Sequence, residues 1–238
     1  MLTSTPILLL NGRPPTALLR CLRAATPVGH VTLTVRLPVE NGAAGEDWSR
    51  LGPLWAADGG ANALPSAGLP AACVVGDLDS LEPAARDWHL SHGAHLLECP
   101  GQDDNDLEKA LAQLAVAGHE RCWVAGFEGE RLDMLLGLGT LLDAAGRPAL
   151  RLLGEHQILI PLGPGCHDFT ALPDEFFSLL APAPCHLELT GARWGGADLT
   201  LGPGCRGVSN RALGGVLTLR VHSGQLLLVR SAPWGDAA

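Results

Sequence analysis

The sequence lacks any apolar run long enough to span a bilayer, which takes about twenty residues, so no transmembrane segment is expected. It lacks a basic residue ahead of the short apolar run in MLTSTPILLLNG, and that segment reads as a first strand, not a signal peptide. It lacks an excess of positive charge: 16 Lys and Arg stand against 25 Asp and Glu, a formal net charge of -9. That argues against a general electrostatic grip on nucleic acid or anionic lipid. A small anionic ligand stays possible, because a bound metal ion can neutralise local carboxylates. No CxxC pair exists among the seven cysteines, and their number is odd. A reduced, cytoplasmic setting fits better than a disulfide framework. There is no GxxxxGK[ST], which excludes a P-loop enzyme. Tyrosine is absent, and that absence carries no functional meaning.

What is present is core material: 47% of the 238 residues are hydrophobic, enough for one large domain or two small ones. Strands are expected at Ile7–Leu10, Val31–Leu37, Leu54–Ala57, Ala72–Val75, His95–Glu98 and Arg121–Ala125. Several are continuous apolar runs, as in strands covered on both faces. Leu107, Ala110, Leu111, Leu114 and Ala115 recur at helical spacing and predict a helix over Asp106–Ala117, capped by Asn105 or Asp106. A second helix is expected over Leu132–Ala145, ending at Gly146. Alternating β and α units predict an α/β fold with a mostly parallel sheet and flanking helices.

After about residue 150 the texture changes. Gln157–Leu162, Phe176–Leu180, His186–Leu189, Val216–Val221 and Gln225–Val229 are short apolar stretches between Pro and Gly clusters. They predict a C-terminal antiparallel β domain, a sandwich or open barrel. The expected division is 1–154 for the α/β part and 155–238 for the β part.

In open α/β sheets, ligands sit beyond the carboxyl ends of the strands. The Leu54–Ala57 strand runs into Asp58-Gly59-Gly60-Ala61-Asn62, and the Ala72–Val75 strand into Gly76-Asp77-Leu78-Asp79-Ser80. The His95–Glu98 strand runs into Gln102-Asp103-Asp104-Asn105-Asp106, and the Arg121–Ala125 strand into Gly126, Gly129, Arg131 and Asp133. A parallel sheet would set all four clusters along one rim. Crowded acids repel and raise each other's pKa. A divalent cation resolves the repulsion, and Mg²⁺ typically takes one or two carboxylates, several waters and substrate phosphates. Arg131 offers a planar fork for a phosphate, and the start of the Asp106 helix offers backbone N–H groups. The chemistry implied is metal-assisted transfer of a phosphate-containing group.

Each cluster alone has a plainer explanation. An Asp after a strand is most often a cap or turn residue, and DxD occurs in many unrelated proteins. The weight lies in four clusters at one expected edge. Gly202–Gly207 matches GxGxxG, but no helix is expected after it, so it is not a dinucleotide loop. His89, His92 and His95 fall at three-residue intervals, and Gly93 ends any helix the first two would share, so core or surface roles outweigh a metal site.

Seven pieces, in order along the chain, resemble the thiamine pyrophosphokinase family: ADGGAN (57–62), GDLDS (76–80), QDDNDLEKAL (102–111), G-x-x-x-x-R-x-D (126–133), FSL (177–179), TGARW (190–194) and VSN (208–210). The resemblance implies an N-terminal α/β domain that binds ATP and Mg²⁺ and a C-terminal β-sandwich that contributes to a thiamine pocket. It implies a homodimer with active sites at the subunit interface, and transfer of the pyrophosphoryl unit of ATP to the thiamine hydroxyl with release of AMP. By motif, Asp77, Asp79 and Asp106 are the implied metal and phosphate-region carboxylates, supported by Asp58 and Asp133. Gln102, Lys109 and Arg131 are the implied phosphate contacts, with Gly59, Gly60, Asn62 and Asn105 beside the nucleotide. Trp194, Ser209 and Asn210 are the implied thiamine contacts. An indole face suits a cationic thiazolium or a flat pyrimidine, although without the motif Trp194 reads as a core tryptophan. Two positions depart from the family pattern: Asn105 where a Thr is frequent, and Met134 where His or Gln is frequent. Two other readings stand beside this one. A haloacid-dehalogenase-like phosphohydrolase would use the first Asp of DxD as nucleophile. A nucleotide- or thiamine-binding homologue would have lost catalysis.

Overall fold

The computed structural model describes residues 4–25, 48, 50–101, 104–129 and 148–232. The expected strand 31–37 and helix 132–145 lie outside the described residues, as do Gln102, Arg131, Asp133 and Met134. The described chain forms two compact units, the first of residues 4–25, 50–129 and 148–155, the second of residues 156–232 with Trp48.

The first unit holds β1 (Thr5–Leu9), α1 (Thr16–Ala25), β2 (Leu51–Ala57), α2 (Leu64–Ala67), β3 (Cys73–Gly76), α3 (Pro83–Ser91), β4 (His95–Glu98), α4 (Asp106–Val116), β5 (Arg121–Ala125) and β6 (Ala149–Leu153). Its strands lie in the order β6-β5-β1-β2-β3-β4. Every neighbouring pair is parallel. β1 and β3 are buried along their whole length, as their unbroken apolar runs require, whereas β4 is half-exposed at the sheet's end. Because all strands point the same way, the exits of β2, β3, β4 and β5 share one edge, as expected, and the exit of β1 lies on it too. α4 buries Leu107, Ala110, Leu111 and Leu114 against β2 and β3.

The second unit holds β7 (Gln157–Leu162), β8 (Gly165–Ala171), β9 (Phe176–Leu180), β10 (Cys185–Thr190), β11 (Gly196–Leu201), β12 (Asn210–Arg211), β13 (Gly215–Ser223) and β14 (Leu226–Ser231). They make two antiparallel layers, β12-β9-β14-β7 and β11-β10-β13-β8. Leu187 and Leu189 on β10 and Leu217, Leu219 and Val221 on β13 face inward, alternating with Glu188, Thr218 and Arg220. Burying one leucine contributes about 1.5–3 kcal/mol, more than the ~1 kcal/mol span of strand propensities. The alternation therefore fixes the register. β6, β8, β11 and β12 were not expected from sequence. Gly202–Gly207 lies in the connection from β11 to β12 with no helix after it, in line with its rejection as a dinucleotide loop.

His89 is the buried histidine of α3. Its Nδ1 accepts the Ala71 N–H at 3.3 Å, so its Nε2 carries the hydrogen and donates to the Ala61 carbonyl at 3.0 Å. Burial lowers its pKa, against the pull of the Ala61 bond. Protonation would set an Nδ1–H against the Ala71 N–H. Below about pH 6.5 the unfolded chain takes up a proton that the native state resists. This group's share of stability is therefore whole above that pH and is lost as pH falls below it. The melting temperature should drop on acidification from about pH 7.5 to 5.5, and drop less in His89→Gln. Equal drops in the two proteins would contradict this. His119, whose pKa burial also lowers, supplies part of the remaining slope.

Candidate functional site

At the exit of β2 the chain makes a single 3-10 turn over Asp58–Ala61. Asp58 is 1% exposed and sits in the left-handed region at φ 39°. Its Oδ2 accepts the Ser80 N–H at 3.2 Å, while its Oδ1 is buried without a hydrogen-bond partner among the described residues. Burial raises its pKa, with Asp106 and Asp77 adding to the effect against the Ser80 bonds. An acceptor buried without a donor costs about 1–3 kcal/mol.

β3 delivers the second cluster. A Cβ on Gly76 would stand 2.7 Å from the Asp58 Cβ and 3.4 Å from Asp106 Oδ1. Only glycine lets the two acids close in from either side of the strand end. Asp77 Oδ1 accepts the Asp79 N–H at 3.5 Å, and Leu78 between them takes φ 62°, rare for a bulky side chain. Asn62 fixes this loop to the β2 turn: its Nδ2 donates to the Ser80 carbonyl at 2.8 Å and its Oδ1 accepts the Glu82 N–H at 2.9 Å. Asn62, expected as a nucleotide contact, thus has its amide engaged by the DLDS backbone. Carboxylate oxygens of Asp58, Asp77 and Asp79 lie within 4.8 Å of one another.

α4 brings the third cluster. Asn105, and not Asp106, is its N-cap: the side chain accepts the Glu108 N–H at 3.0 Å, and Glu108 returns a bond to the Asn105 N–H at 3.2 Å. That frees Asp106 to face the acids. One turn on, Lys109 is buried, its Nζ 3.4 Å from Asp77 Oδ2 and 3.6 Å from Asp106 Oδ1. It is the single lysine of the 238 residues, beside fifteen arginines. Burial and the nearby Asp77 raise the Asp106 pKa, only partly offset by Lys109. Asp77 moves down despite burial, through the Asp79 N–H and the Lys109 cation.

The exit of β1, Asn11-Gly12, was missed from sequence. A Cβ on Gly59 would meet the Asn11 amide at 2.6 Å, and one on Gly60 the Leu9 carbonyl at 2.6 Å. Gly126, at φ 74°, leaves only 2.5 Å to the Leu10 carbonyl. The exits of β1, β2 and β5 are therefore in backbone contact, and the glycines of ADGGAN serve that contact. The Asn-Gly pair after the first apolar run was the available signal.

In the second unit, Asn210 is buried and Trp194 is 59% exposed. Asn210 Nδ2 donates to the Trp194 carbonyl at 2.9 Å, and its Oδ1 accepts the N–H groups of Trp194 at 3.2 Å and Arg211 at 2.8 Å. Its amide holds the TGARW loop in place. Trp194 is not the core residue that its composition alone suggests, and the Arg193 guanidinium lies 5.7 Å over its ring. Ser209 takes φ 65°, its N–H donating to Ser178 Oγ at 3.1 Å.

By fold, the chain joins an open parallel α/β unit with an acidic rim to an antiparallel β unit. Residues 46–149 match the family model described as thiamin pyrophosphokinase, catalytic domain. Solved structures similar to the chain include thiamine pyrophosphokinases. The one from Bacillus subtilis has a TM-score of 0.71 at 21% identity, covering 96% of this chain and 99% of that one. The one from Candida albicans has a TM-score of 0.74 at 15% identity, with 96% and 89% covered. The resemblance read from the motifs is borne out.

The acids suit a hard divalent cation: all ligand atoms are oxygens, three carboxylates converge, and the buried Asp58 Oδ1 has no partner among the described residues. Adding Mg²⁺ or Mn²⁺ should raise the melting temperature, by the equivalent of about 2.7 kcal/mol at a hundredfold excess over Kd. Asp77→Asn should remove most of that rise. An equal rise in the variant, followed by differential scanning fluorimetry, would place the cation elsewhere.

Proposed function

We propose that the chain is a Mg²⁺-dependent thiamine pyrophosphokinase, converting ATP and thiamine to AMP and thiamine diphosphate. The observation that carries this reading is the convergence of Asp58, Asp77, Asp79 and Asp106 at the strand exits of a unit matched over 46–149 by the catalytic-domain family. The thiamine hydroxyl oxygen would bond to the β-phosphorus of ATP as the bond from that phosphorus to the α,β-bridging oxygen breaks; AMP departs with that oxygen, and the hydroxyl proton passes to solvent. Such chemistry depends mainly on positioning and charge neutralisation. A bound Mg²⁺ supplies charge neutralisation at the phosphates, and Asp58, Asp77, Asp79 and Asp106 are the residues that would hold it. Lys109 adds a compact positive charge beside them and is suited to contact a phosphate. Gln102, Arg131 and Asp133 are assigned to the same site by motif alone.

Trp194 presents an exposed indole on which the cationic thiazolium or the pyrimidine of thiamine can stack. Ser209, with its neighbour Ser178, is assigned to the same pocket, and Asn210 acts there through the loop it holds. Exposed apolar side chains on connected segments of the second unit, Leu172, Phe176, Leu213 and Val216, support a homodimer. We further assign the protein to the cytoplasm, with no nucleic-acid or membrane partner.

The test is direct: protein, ATP, Mg²⁺ and thiamine are mixed, and AMP and thiamine diphosphate are followed. Thiamine-independent release of inorganic phosphate would favour the phosphohydrolase. Its DxD would need to open the domain on a first strand, whereas here it follows β3. Thiamine binding without AMP would favour the inactive homologue. Asp77→Asn should abolish turnover while the protein stays folded. Trp194→Ala should weaken thiamine binding about tenfold, the equivalent of ~1.4 kcal/mol, and leave ATP binding within about twofold. Equal losses for both ligands would argue against stacking.

A further inference from the structure

The connection from β2 to β3, residues 58–72, begins with the turn that carries Asp58 and ends one residue before the strand that leads to Asp77. His89 touches both ends of it. Its Nε2 donates to the Ala61 carbonyl at 3.0 Å and its Nδ1 accepts the Ala71 N–H at 3.3 Å. α3, which presents His89, has no other part in the reading above. The turn it grips is under strain: Asp58 lies in the left-handed region and keeps an oxygen with no partner among the described residues. Strained geometry persists only where surrounding bonds over-determine it. Asn62 and the Ser80 N–H hold that turn from the DLDS side. From beneath, His89 provides the described side-chain bond to its last residue.

We propose that His89 is a positioning residue for the acidic site: one neutral imidazole, bonded through both ring nitrogens, sets the Asp58 turn relative to the segment that enters β3. This rests on the reading of the acids as a cation site. Neither a charged side chain nor a purely apolar one can replace it, because the position needs one donor and one acceptor on opposite edges. Glutamine and asparagine divide that pair. The glutamine amide nitrogen reaches where Nε2 stands and keeps the Ala61 bond, whereas the asparagine oxygen stands near Nδ1 and keeps only the Ala71 bond.

The experiment measures Mn²⁺ affinity of the full chain by electron paramagnetic resonance, without nucleotide or thiamine, for wild type, His89→Gln, His89→Asn and His89→Leu. Folding of each is checked by circular dichroism. Expected are a Gln variant within about threefold of wild type and Asn and Leu variants weakened about tenfold or more, the weight of one well-placed hydrogen bond. Turnover should follow, with kcat reduced and the KM for thiamine little changed. If Leu does not fold, the Gln and Asn pair decides. Affinities within twofold across the folded variants, or an Asn variant that outperforms Gln, overturn the proposal. If wild type binds Mn²⁺ but forms no thiamine diphosphate, the functional reading fails while the His89 comparison still stands.

Discussion

The site depends on the ion-paired contact of Lys109 with Asp77 and Asp106. Four acids gathered at the end of a parallel sheet repel one another, and burial raises the pKa of two of them, Asp58 and Asp106. One ammonium on the buried face of α4 gives the cluster a partial counter-charge within the protein. It does so from the helix whose cap is Asn105, so the capping box indirectly sets where the cation stands. An arginine would span both carboxylates with a planar fork, whereas a lysine presents a compact charge that can turn toward another anion.

Around that charge balance, the glycines and amides act as spacers and clamps. Gly76 brings Asp58 and Asp106 to either side of one strand end, and Gly59 and Gly60 bring the β1 exit against the β2 turn. Asn62 and Asn210 repeat one device in the two units. Each spends its amide on the backbone of a neighbouring loop, GDLDS in one case and TGARW in the other. The residues proposed to meet a ligand and the residues that shape the loops are thus different, although they are adjacent in the motifs.

Sequence reading recovered what burial dictates. β4, β5, β7 and β9 fall where their apolar runs end, and α4 follows its helical spacing. β8 and β11 were not legible, because GCHDFTA and GADLTL carry few apolar residues and owe their pairing to partner strands. β6 was not legible although Leu150, Leu152 and Leu153 are buried, because the composition changes at that point of the chain. The rim of acids was readable from parallel topology. The division of labour within it was not: that Asn62 clamps, that His89 bridges two backbone groups, and that Asn11-Gly12 joins the edge are facts of contact between segments far apart in sequence.

The concentration of all lysine chemistry at one point has a consequence for how this protein can be modified. The other fifteen cationic side chains are arginines, which offer no ε-amino group, so the only one in these 238 residues stands among the acids. Acylation of lysine elsewhere on the chain has no target. Acylation at Lys109 would turn a cation in contact with Asp77 and Asp106 into a neutral amide, so that a single modification would fall on the charge balance of the site itself.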